Sequence, residues 1–508
     1  MEFKLSSEPS LEDFLSYSNK YNVVAVWTEL LADLTTPVAL FNRCVGEAEG
    51  FLLESVDHGE HWGRWSFIGS NPLVKIKTQN GVIEIEGELP FQNNKNDGIL
   101  DLLEKILEHY KSPKIEDLPP LHGGLVGYLG YDIVREIEYL PLVPEDDKSF
   151  PDAILSIIGD LVAIDHWRQR AFLISNVLIE ENKSEEEIKG FYFEALSRLE
   201  SLAEAGAKTV EEPLMFPPPT DSKPPEVKST FGSELYCSAV EAAKESILNG
   251  DIFQVVLSQR FDFELQADPF DVYRVLRQIN PSPYMYFFRY EELTIVGASP
   301  EPMVKLTEGR VVSRPIAGTR KRGATEKEDR LLEAELLEDP KERAEHIMLL
   351  DLARNDVGRV VEFGSEVVDE MMTSEKYSHV MHLTSQVSGN LKQSLGPIDV
   401  LKATLPAGTV SGAPKVRAME IIDLLEPKKR GPYAGVVGYF DFSGNVDTAI
   451  TIRTMLVKDG IASVQAGAGI VADSVPENED LECKNKALAL LSAVPAARKM
   501  TQQRSAIK

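Results

Sequence analysis

One stretch of this chain is predicted to form neither regular helix nor regular strand. Residues 203–230 read AEAGAKTVEEPLMFPPPTDSKPPEVKST, and proline lacks the N–H group that helices and central strands require. We therefore predict a linker at 206–230 that joins an N-terminal domain, 1–205, to a C-terminal domain, 231–508. With 508 residues, the chain is long enough for two large domains of this kind.

Segments with strand and helix character occur on both sides of this linker. Alternating apolar residues predict strands at 73–85, 153–164 and 449–457. A helical period appears at 100–110 and 184–202. Because strands and helices do not follow a strict βαβ order, the predicted class is α+β. We expect a large mixed fold of packed antiparallel β-sheets surrounded by helices, in two closely associated parts.

Composition limits the partners of the chain. Asp and Glu number 81 against 53 Lys and Arg, for a formal charge of −28, so nucleic acid and anionic membranes are disfavoured as partners. No apolar run approaches the roughly 20 residues that a membrane helix needs. The three cysteines lie far apart and the polar N-terminus is unlike a secretory leader, so we expect a cytoplasmic protein.

Two pairs of glutamates have the spacing of one helix face. Glu342 and Glu345 are three residues apart, and so are Glu479 and Glu482. Clustered carboxylates repel one another unless a cation neutralises them, and a set of oxygen ligands without His or Cys suits Mg²⁺. A helix cap and a solvated acidic face explain the same spacing, so the pattern alone leaves these readings open.

Each pair follows a predicted helix start. Asp339 and Pro340 predict a helix that begins there, with Glu342 at the capping-box position. Ser474 and Glu477 predict a second capping box, which opens a helix running through residue 491.

Residues near the second pair have the chemistry of an anion site. Gly467, Ala468 and Gly469 follow a predicted strand, and a glycine-rich turn can direct successive N–H groups at a carboxylate. Lys486 lies one helical turn after Glu482. Arg453 is predicted inside a strand, where a buried position would require an anionic partner. A tight turn and a solvent-facing strand explain these features equally well.

Three further polar residues stand among apolar neighbours. Gln254 falls within a predicted strand, Glu301 lies between two prolines, and His382 lies in VMHLTS. A satisfied core residue or a loop charge is the simpler interpretation of each. Without further information, these residues indicate a Mg²⁺-dependent enzyme acting on a small carboxylate.

Ten segments spread along the chain form a recognisable set: LLESV, GRWSFIG, DIFQVVLSQR, GASPE, RPIAGTRKRG, ERAEHIMLLDLARND, PAGTVSGAPK, GPYAGVVGYF, TIRT and QAGAGIVADSVPENEDLECKNKA. Taken together and in this order, these segments resemble the chorismate-utilising enzymes over nearly the whole chain.

The resemblance implies a metal and a substrate. Glu345 and Glu482 are similar to the direct Mg²⁺ ligands of the family, and Glu342 and Glu479 to supporting ones. The Mg²⁺ ion would bind the ring carboxylate of chorismate, together with Lys486 and the Gly467–Ala468–Gly469 turn.

The resemblance also assigns the remainder of the pocket. Arg453 and Tyr433 are similar to residues that hold the enolpyruvyl carboxylate, and Gly318, Thr319 and Thr409 to residues that line the pocket.

Catalytic roles follow from the same resemblance. Glu301 would protonate the departing C4 hydroxyl while ammonia attacks ring C2, and His382 is linked to the later elimination of pyruvate. Gln254 stands where relatives that add water have a lysine base, and ammonia needs no base. Ala317 stands where relatives that aminate C4 for folate synthesis have a nucleophilic lysine.

These two positions favour the members of the family that form anthranilate in tryptophan biosynthesis. Three alternatives remain: the C4-aminating relative, an isochorismate or salicylate synthase, and a catalytically silent tryptophan-binding subunit.

The resemblance implies two more partners. No cysteine has the glycine-flanked context of a glutaminase nucleophile, so ammonia would come from a separate glutamine amidotransferase subunit in a hetero-oligomer. Glu54 and Ser55, with Pro283, Tyr284 and Met285, resemble the feedback site for L-tryptophan. An ordinary apolar contact between domains is the other interpretation of these segments.

Overall fold

A computed structural model describes residues 6–56, 63–94, 97–180, 182–209, 222–377 and 380–507 of the chain. Residues 210–221, about half of the predicted linker, lie outside the described residues. Within the described ranges, the α-helices are α1 (Leu11–Ser18), α2 (Pro37–Cys44), α3 (Ile99–His109), α4 (Glu185–Ala207), α5 (Ser233–Leu248), α6 (Pro269–Ile279), α7 (Glu326–Glu338), α8 (Pro340–Val360), α9 (Pro397–Thr404), α10 (Lys415–Leu425), α11 (Pro476–Leu491) and α12 (Val494–Ile507).

The strands form two large sheets. The chain order of the strands is β1 (Val23–Leu31), β2 (Gly50–Glu54), β3 (Trp65–Ser70), β4 (Val74–Gln79), β5 (Val82–Glu86), β6 (Gly124–Leu129), β7 (Ala153–Ile157), β8 (Asp160–Asp165), β9 (Arg170–Leu178), β10 (Lys228–Ser229), β11 (Gln254–Glu264), β12 (Tyr284–Arg289), β13 (Thr294–Ser299), β14 (Pro302–Thr307), β15 (Arg310–Ser313), β16 (Ile316–Lys321), β17 (Val367–Lys376), β18 (Val380–Asn390), β19 (Gly412–Ala413), β20 (Val436–Asp441), β21 (Val446–Ile450), β22 (Thr454–Lys458) and β23 (Ile461–Ile470).

Both sheets combine strands from the two sides of the predicted linker. Among the described residues, the first sheet has 12 strands in the order β1-β9-β8-β3-β2-β12-β13-β22-β23-β11-β10, with β19 on β11. The second has 11 strands in the order β16-β18-β15-β14-β21-β20-β6-β7-β4-β5, with β17 on β18. The two sides meet where β2 pairs with β12 and where β6 pairs with β20, both antiparallel. The division at 205 and 231 remains a prediction.

The two sheets pack face to face and helices cover their outer faces. The layer between the sheets contains buried residues of both, such as Phe67 and Tyr286 from the first and Tyr128 and Tyr439 from the second. One outer cluster joins the first sheet to α1, α2, α4, α6 and α12, and another joins the second sheet to α3, α8 and α9. Burial of these apolar faces is the main stabilising contribution. The predicted α+β class is confirmed.

One predicted strand is wrong in a way that matters for the site. The run 449–457 is two strands in different sheets: β21 belongs to the second sheet and β22 to the first. The chain crosses between the sheets at residues 451–453, where Arg453 has a φ of 49°. The apolar pattern continues through the crossing, so periodicity alone does not reveal it.

The two predicted capping boxes also differ from the structure. Asp339 caps α8 and accepts the N–H groups of Lys341 and Glu342, as predicted, but the Glu342 carboxylate binds Arg320. The box at Ser474 and Glu477 is wrong, because α11 begins at Pro476 and its N-cap residue makes no side-chain bond. Ser474 instead accepts the N–H of residue 471.

In the described parts of the chain, no helix combines the length and the apolar character needed to span a membrane.

Candidate active site

The short connection between β13 and β14 carries Glu301, with a proline on each side. Glu301 is 8% exposed. Burial raises the pKa of Glu301 from 4.5 to about 8 because the carboxylate loses hydration, and this is partly offset by the Thr409 hydroxyl, the charge of Lys486 and the N–H of Ile316. Glu301 is therefore protonated at neutral pH and can donate a proton.

Adjacent strands bring His382 beside two predicted pocket residues. Thr319 on β16 pairs with His382 on β18. His382 Nδ1 lies 2.9 Å from the carbonyl oxygen of Gly318 and 3.1 Å from Thr319 Oγ1. Because a carbonyl only accepts, Nδ1 carries the ring proton and Nε2 keeps its lone pair. Burial lowers the pKa of His382, the Gly318 carbonyl opposes this, and the charge of Arg453 adds to the lowering.

A buried amide joins β11 to α8. Gln254 Nε2 donates to Glu345 Oε1 at 3.3 Å. Burial raises the pKa of Glu345, as do the negative charges of Glu342 and Glu482, whereas the Gln254 amide lowers it. Gln254 Oε1 is buried and has no hydrogen-bond partner among the described residues. This amide therefore presents an unused acceptor next to a carboxylate.

The second glutamate pair lies on α11 against β23. Lys486 Nζ donates to Glu482 Oε1 at 2.7 Å and to the carbonyl oxygen of Gly467 at 2.9 Å. Burial raises the pKa of Glu479, and the charge of Glu482 acts in the same direction, whereas Ser474 lowers it by a hydrogen bond. The negative charge of Glu482 thus raises the pKa of both Glu479 on α11 and Glu345 on α8.

The four predicted ligands do not form a closed cluster. Glu342 Oε1 accepts from Arg320 Nη1 at 2.9 Å, and Glu482 binds Lys486. Across the described ranges, no group of three or more His, Cys, Asp or Glu side chains is close enough to hold a metal ion. Metal binding by Glu345 and its neighbours therefore stays a prediction.

Arg453 lies at the crossing between the two sheets, not inside a strand as predicted. Burial lowers the pKa of Arg453, while Tyr433 and Glu482 raise it. Tyr433 is 6% exposed, and burial raises its pKa. The left-handed backbone at residue 453 is unusual for a residue with a Cβ, and such strain concentrates at functional positions.

The predicted glycine turn is part of strand β23 and allows close approach. A Cβ on Gly467 would lie 2.9 Å from the Tyr433 hydroxyl, and one on Gly469 would lie 2.5 Å from Gln254 Nε2. Ala468 between them is fully buried. Gly318 has a φ of +60°, and a Cβ there would lie 2.9 Å from Glu342 Oε2. Glycine is thus required where backbone meets the polar side chains of the site.

The five residues of the predicted tryptophan site line a separate cavity of about 290 Å³ between the two sheets. This volume is close to the lower end, about 300 Å³, of small-molecule pockets. Glu54 accepts from Arg277 Nε at 3.0 Å and Nη2 at 3.1 Å. Ser55 Oγ is buried and, among the described residues, has no hydrogen-bond partner. Pro283, Tyr284 and Met285 complete the set.

Three charged residues of this cavity, Arg64, Lys305 and Asp447, were not predicted. Lys305 and Asp447 line it from the second sheet, and they pair with each other across β14 and β21. Asp447 Oδ1 accepts from the Tyr284 hydroxyl at 2.8 Å. Because 142 residues separate Lys305 from Asp447 in the chain, by their numbering, no local sequence pattern connects them.

Comparison with known proteins identifies the family. A model of the chorismate binding enzyme family matches residues 51–492. The chain belongs to this family, as the sequence motifs predicted. Within it, the similarity is to anthranilate synthase component 1. The protein of that name from Acetivibrio thermocellus is 45% identical over 495 residues, with 96% of this chain and 99% of the relative covered.

Solved structures agree with this placement. The crystal structure of anthranilate synthase component I from Streptococcus pneumoniae TIGR4 has a TM-score of 0.75 at 38% identity, covering 91% of this chain and 99% of that one. MenF, the menaquinone-specific isochorismate synthase from Escherichia coli, has a TM-score of 0.69 at 17% identity, covering 96% of this chain and 99% of that one. The second likeness concerns the fold alone.

Proposed function

We propose that this chain is the large subunit of an anthranilate synthase. It aminates chorismate at ring C2 with ammonia and then eliminates pyruvate, the first committed step of tryptophan biosynthesis. The observation that carries the proposal is the amide of Gln254. Its Nε2 is engaged by Glu345, which leaves Oε1 as an acceptor for an N–H of ammonia. An amide orients a nucleophile that already has a lone pair, but it cannot activate water.

Glu301 and His382 supply the proton transfers. Glu301, protonated up to about pH 8, protonates the C4 hydroxyl as it leaves and ammonia attacks C2. The ring then loses the C2 proton and pyruvate, and aromaticity drives this step. His382 is neutral and has its Nε2 lone pair available, so it is suited to accept the C2 proton.

The donor set is suited to Mg²⁺. Glu345 and Glu482 are hard oxygen donors, and the charge of Glu482 contributes to the raised pKa of Glu345, so a cation between them would relieve repulsion. We propose Glu345 and Glu482 as direct ligands, with Glu342 and Glu479 in support. The ion would compete with Lys486 for Glu482, which frees the ammonium group for the substrate. When bound, Mg²⁺ stabilises negative charge on the ring carboxylate of chorismate.

The remaining cations and N–H groups complete substrate binding. Arg453 and Tyr433 hold the enolpyruvyl carboxylate, and Lys486 with the backbone at Gly467 holds the ring carboxylate. A protein with a formal charge of −28 can bind this dianion because its positive groups are concentrated at one place.

Ammonia supply and regulation are further parts of the proposal. A separate glutamine amidotransferase subunit supplies ammonia, and L-tryptophan inhibits by binding the 290 Å³ cavity. The Ser55 hydroxyl, which has no partner among the described residues, is available to the amino group of the ligand. Pro283 and Met285 pack against its indole ring.

One assay separates this proposal from its rivals. The purified chain is incubated with chorismate, Mg²⁺ and ammonium, and the products are identified by mass spectrometry. We expect anthranilate and pyruvate in equal amounts. Isochorismate or salicylate would indicate addition of water, and 4-amino-4-deoxychorismate would indicate the folate-pathway reaction. If no Mg²⁺-dependent turnover occurs, the remaining alternative is a catalytically silent tryptophan-binding subunit.

A second arm tests the source of ammonia. We expect no product when glutamine replaces ammonium, because no glutaminase nucleophile is predicted in this sequence. Glutamine-dependent turnover by the chain alone would contradict a separate glutaminase subunit.

A further inference from the structure

The main chain of Glu301 is held by one hydroxyl and one neighbouring strand. Ser299 is fully buried. Its Oγ donates to the carbonyl oxygen of Ile450 at 2.7 Å and accepts the N–H of Glu301 at 3.4 Å. The Ile450 N–H in turn donates to the carbonyl oxygen of Glu301 at 3.1 Å. Both main-chain polar groups of Glu301 are therefore held by Ser299 and Ile450.

The prolines beside Glu301 increase the importance of these bonds. Pro300 and Pro302 have restricted φ angles, and a residue before proline is confined to extended conformations. The segment thus moves as a short rigid unit. Because it cannot adjust internally, the position of the Glu301 carboxyl depends on where Ser299 and Ile450 place the unit.

Ser299 and Ile450 also adjoin the cavity of about 290 Å³ that the predicted tryptophan site lines. Tyr284, which lines the cavity, is the cross-strand partner of Ser299. Ala449, also in the cavity wall, precedes Ile450 and pairs with Pro302. On the other side of β21, Ile450 and Glu301 line a small cavity of about 40 Å³. Strand β21 therefore forms part of the wall of the larger cavity through Ala449 and binds the main chain of Glu301 through Ile450.

We propose that Ser299 is a positioning residue for Glu301, and that its hydroxyl transmits occupancy of the 290 Å³ cavity to the catalytic acid. A ligand that moves Tyr284 or Ala449 moves the partners of Ser299 and Ile450, and with them the rigid Pro300–Glu301–Pro302 unit. The inference rests on the proposed function, because it assigns a mechanism of regulation to the same site.

The test compares Ser299→Ala with Ser175→Ala in the full chain. Ser175 is also fully buried, and its hydroxyl donates to Asp160 on the outer part of the first sheet. Each enzyme is assayed with chorismate, Mg²⁺ and ammonium, and tryptophan binding is measured separately by calorimetry. For Ser299→Ala we expect kcat to fall about three- to tenfold, the range for loss of one hydrogen bond, with KM for chorismate within about twofold.

Saturating tryptophan gives the decisive readout. We expect Ser299→Ala to bind tryptophan like the wild type yet to keep at least about a third of its activity, whereas Ser175→Ala is fully inhibited. An unchanged kcat would overturn the positioning role. Complete inhibition of Ser299→Ala would overturn the transmission. A wild-type enzyme that makes anthranilate without binding tryptophan would refute the regulatory site itself, while kcat would still decide the role of Ser299.

Discussion

Replacing Glu301 by glutamine should make the protein more stable and inactive at the same time. Burial raises the pKa of Glu301 from 4.5 to about 8. Between these values the folded state binds one more proton than the unfolded state, so the free energy of unfolding of the wild type falls as pH rises. The slope is roughly 1.4 kcal/mol per pH unit, which sums to about 5 kcal/mol over this range. Glutamine has no ionisable proton, so the free energy of unfolding of Glu301→Gln does not fall in this way as pH rises.

The quantity to measure is the difference in free energy of unfolding between variant and wild type. Denaturant unfolding at pH 4.5, 6.5 and 8.5 provides it, and the other titrating groups cancel because both proteins contain them. We expect the difference to shift by about 3 to 5 kcal/mol in favour of the variant between the lowest and the highest pH. Anthranilate formation should be abolished, while chorismate affinity changes little, because the acid acts on the leaving group and not on the substrate carboxylates.

Glu200→Gln is the matched control, because Glu200 is exposed on α4. The difference in free energy of unfolding between Glu200→Gln and the wild type should be the same at all three pH values. If Glu301→Gln behaves in the same pH-independent way, burial does not hold the carboxyl in its neutral form, and the reasoning about the acid is refuted. A Glu301→Gln enzyme with normal turnover would remove Glu301 as the acid even if the stability result agreed.

Three other predictions follow from the site. His382→Ala should aminate chorismate but release the C2-aminated intermediate in place of anthranilate, as followed by mass spectrometry; normal anthranilate output would exclude His382 from the elimination. Glu345→Gln should weaken Mg²⁺ activation by at least about tenfold in a titration of activity, and calorimetry with Mg²⁺ alone should show the same loss; unchanged affinity would contradict its role as a ligand. Ser55→Phe should fill the 290 Å³ cavity and remove tryptophan inhibition without loss of turnover, and full inhibition of this variant would place the regulatory site elsewhere.

The sequence is most informative where a function depends on local geometry. Asp339 followed by Pro340 specifies the start of α8, and that start fixes the face on which Glu345 lies. Helix spacing then places Glu342 and Glu345 together whatever the remainder of the fold does. The helical pattern at 184–202 is likewise confirmed, because Ser184 caps α4 and the helix continues from Glu185 through Ala207.

Sequence reasoning fails where a residue's role depends on a distant strand. The apolar pattern around Arg453 is continuous, yet the chain there leaves one sheet and enters the other. Nothing local distinguishes this crossing from a single strand, because both bury apolar residues with the same period. Ser299 illustrates the same limit: its importance comes from Ile450, which is 151 residues away in the chain.

A single physical effect suits Glu301 and His382 to the acid and base roles proposed for them. Burial disfavours the charged form of any group, so it raises the pKa of Glu301 and lowers that of His382. The two groups therefore keep opposite functions at the same pH: the carboxyl retains its proton up to about pH 8, while the imidazole remains neutral at pH 7. Were the pocket open to water, both groups would return toward their ordinary values, and near neutral pH the carboxyl would be ionised and the imidazole partly protonated. The packing of α8 and residues 404–409 around Glu301 is thus a direct requirement of the proposed proton transfers.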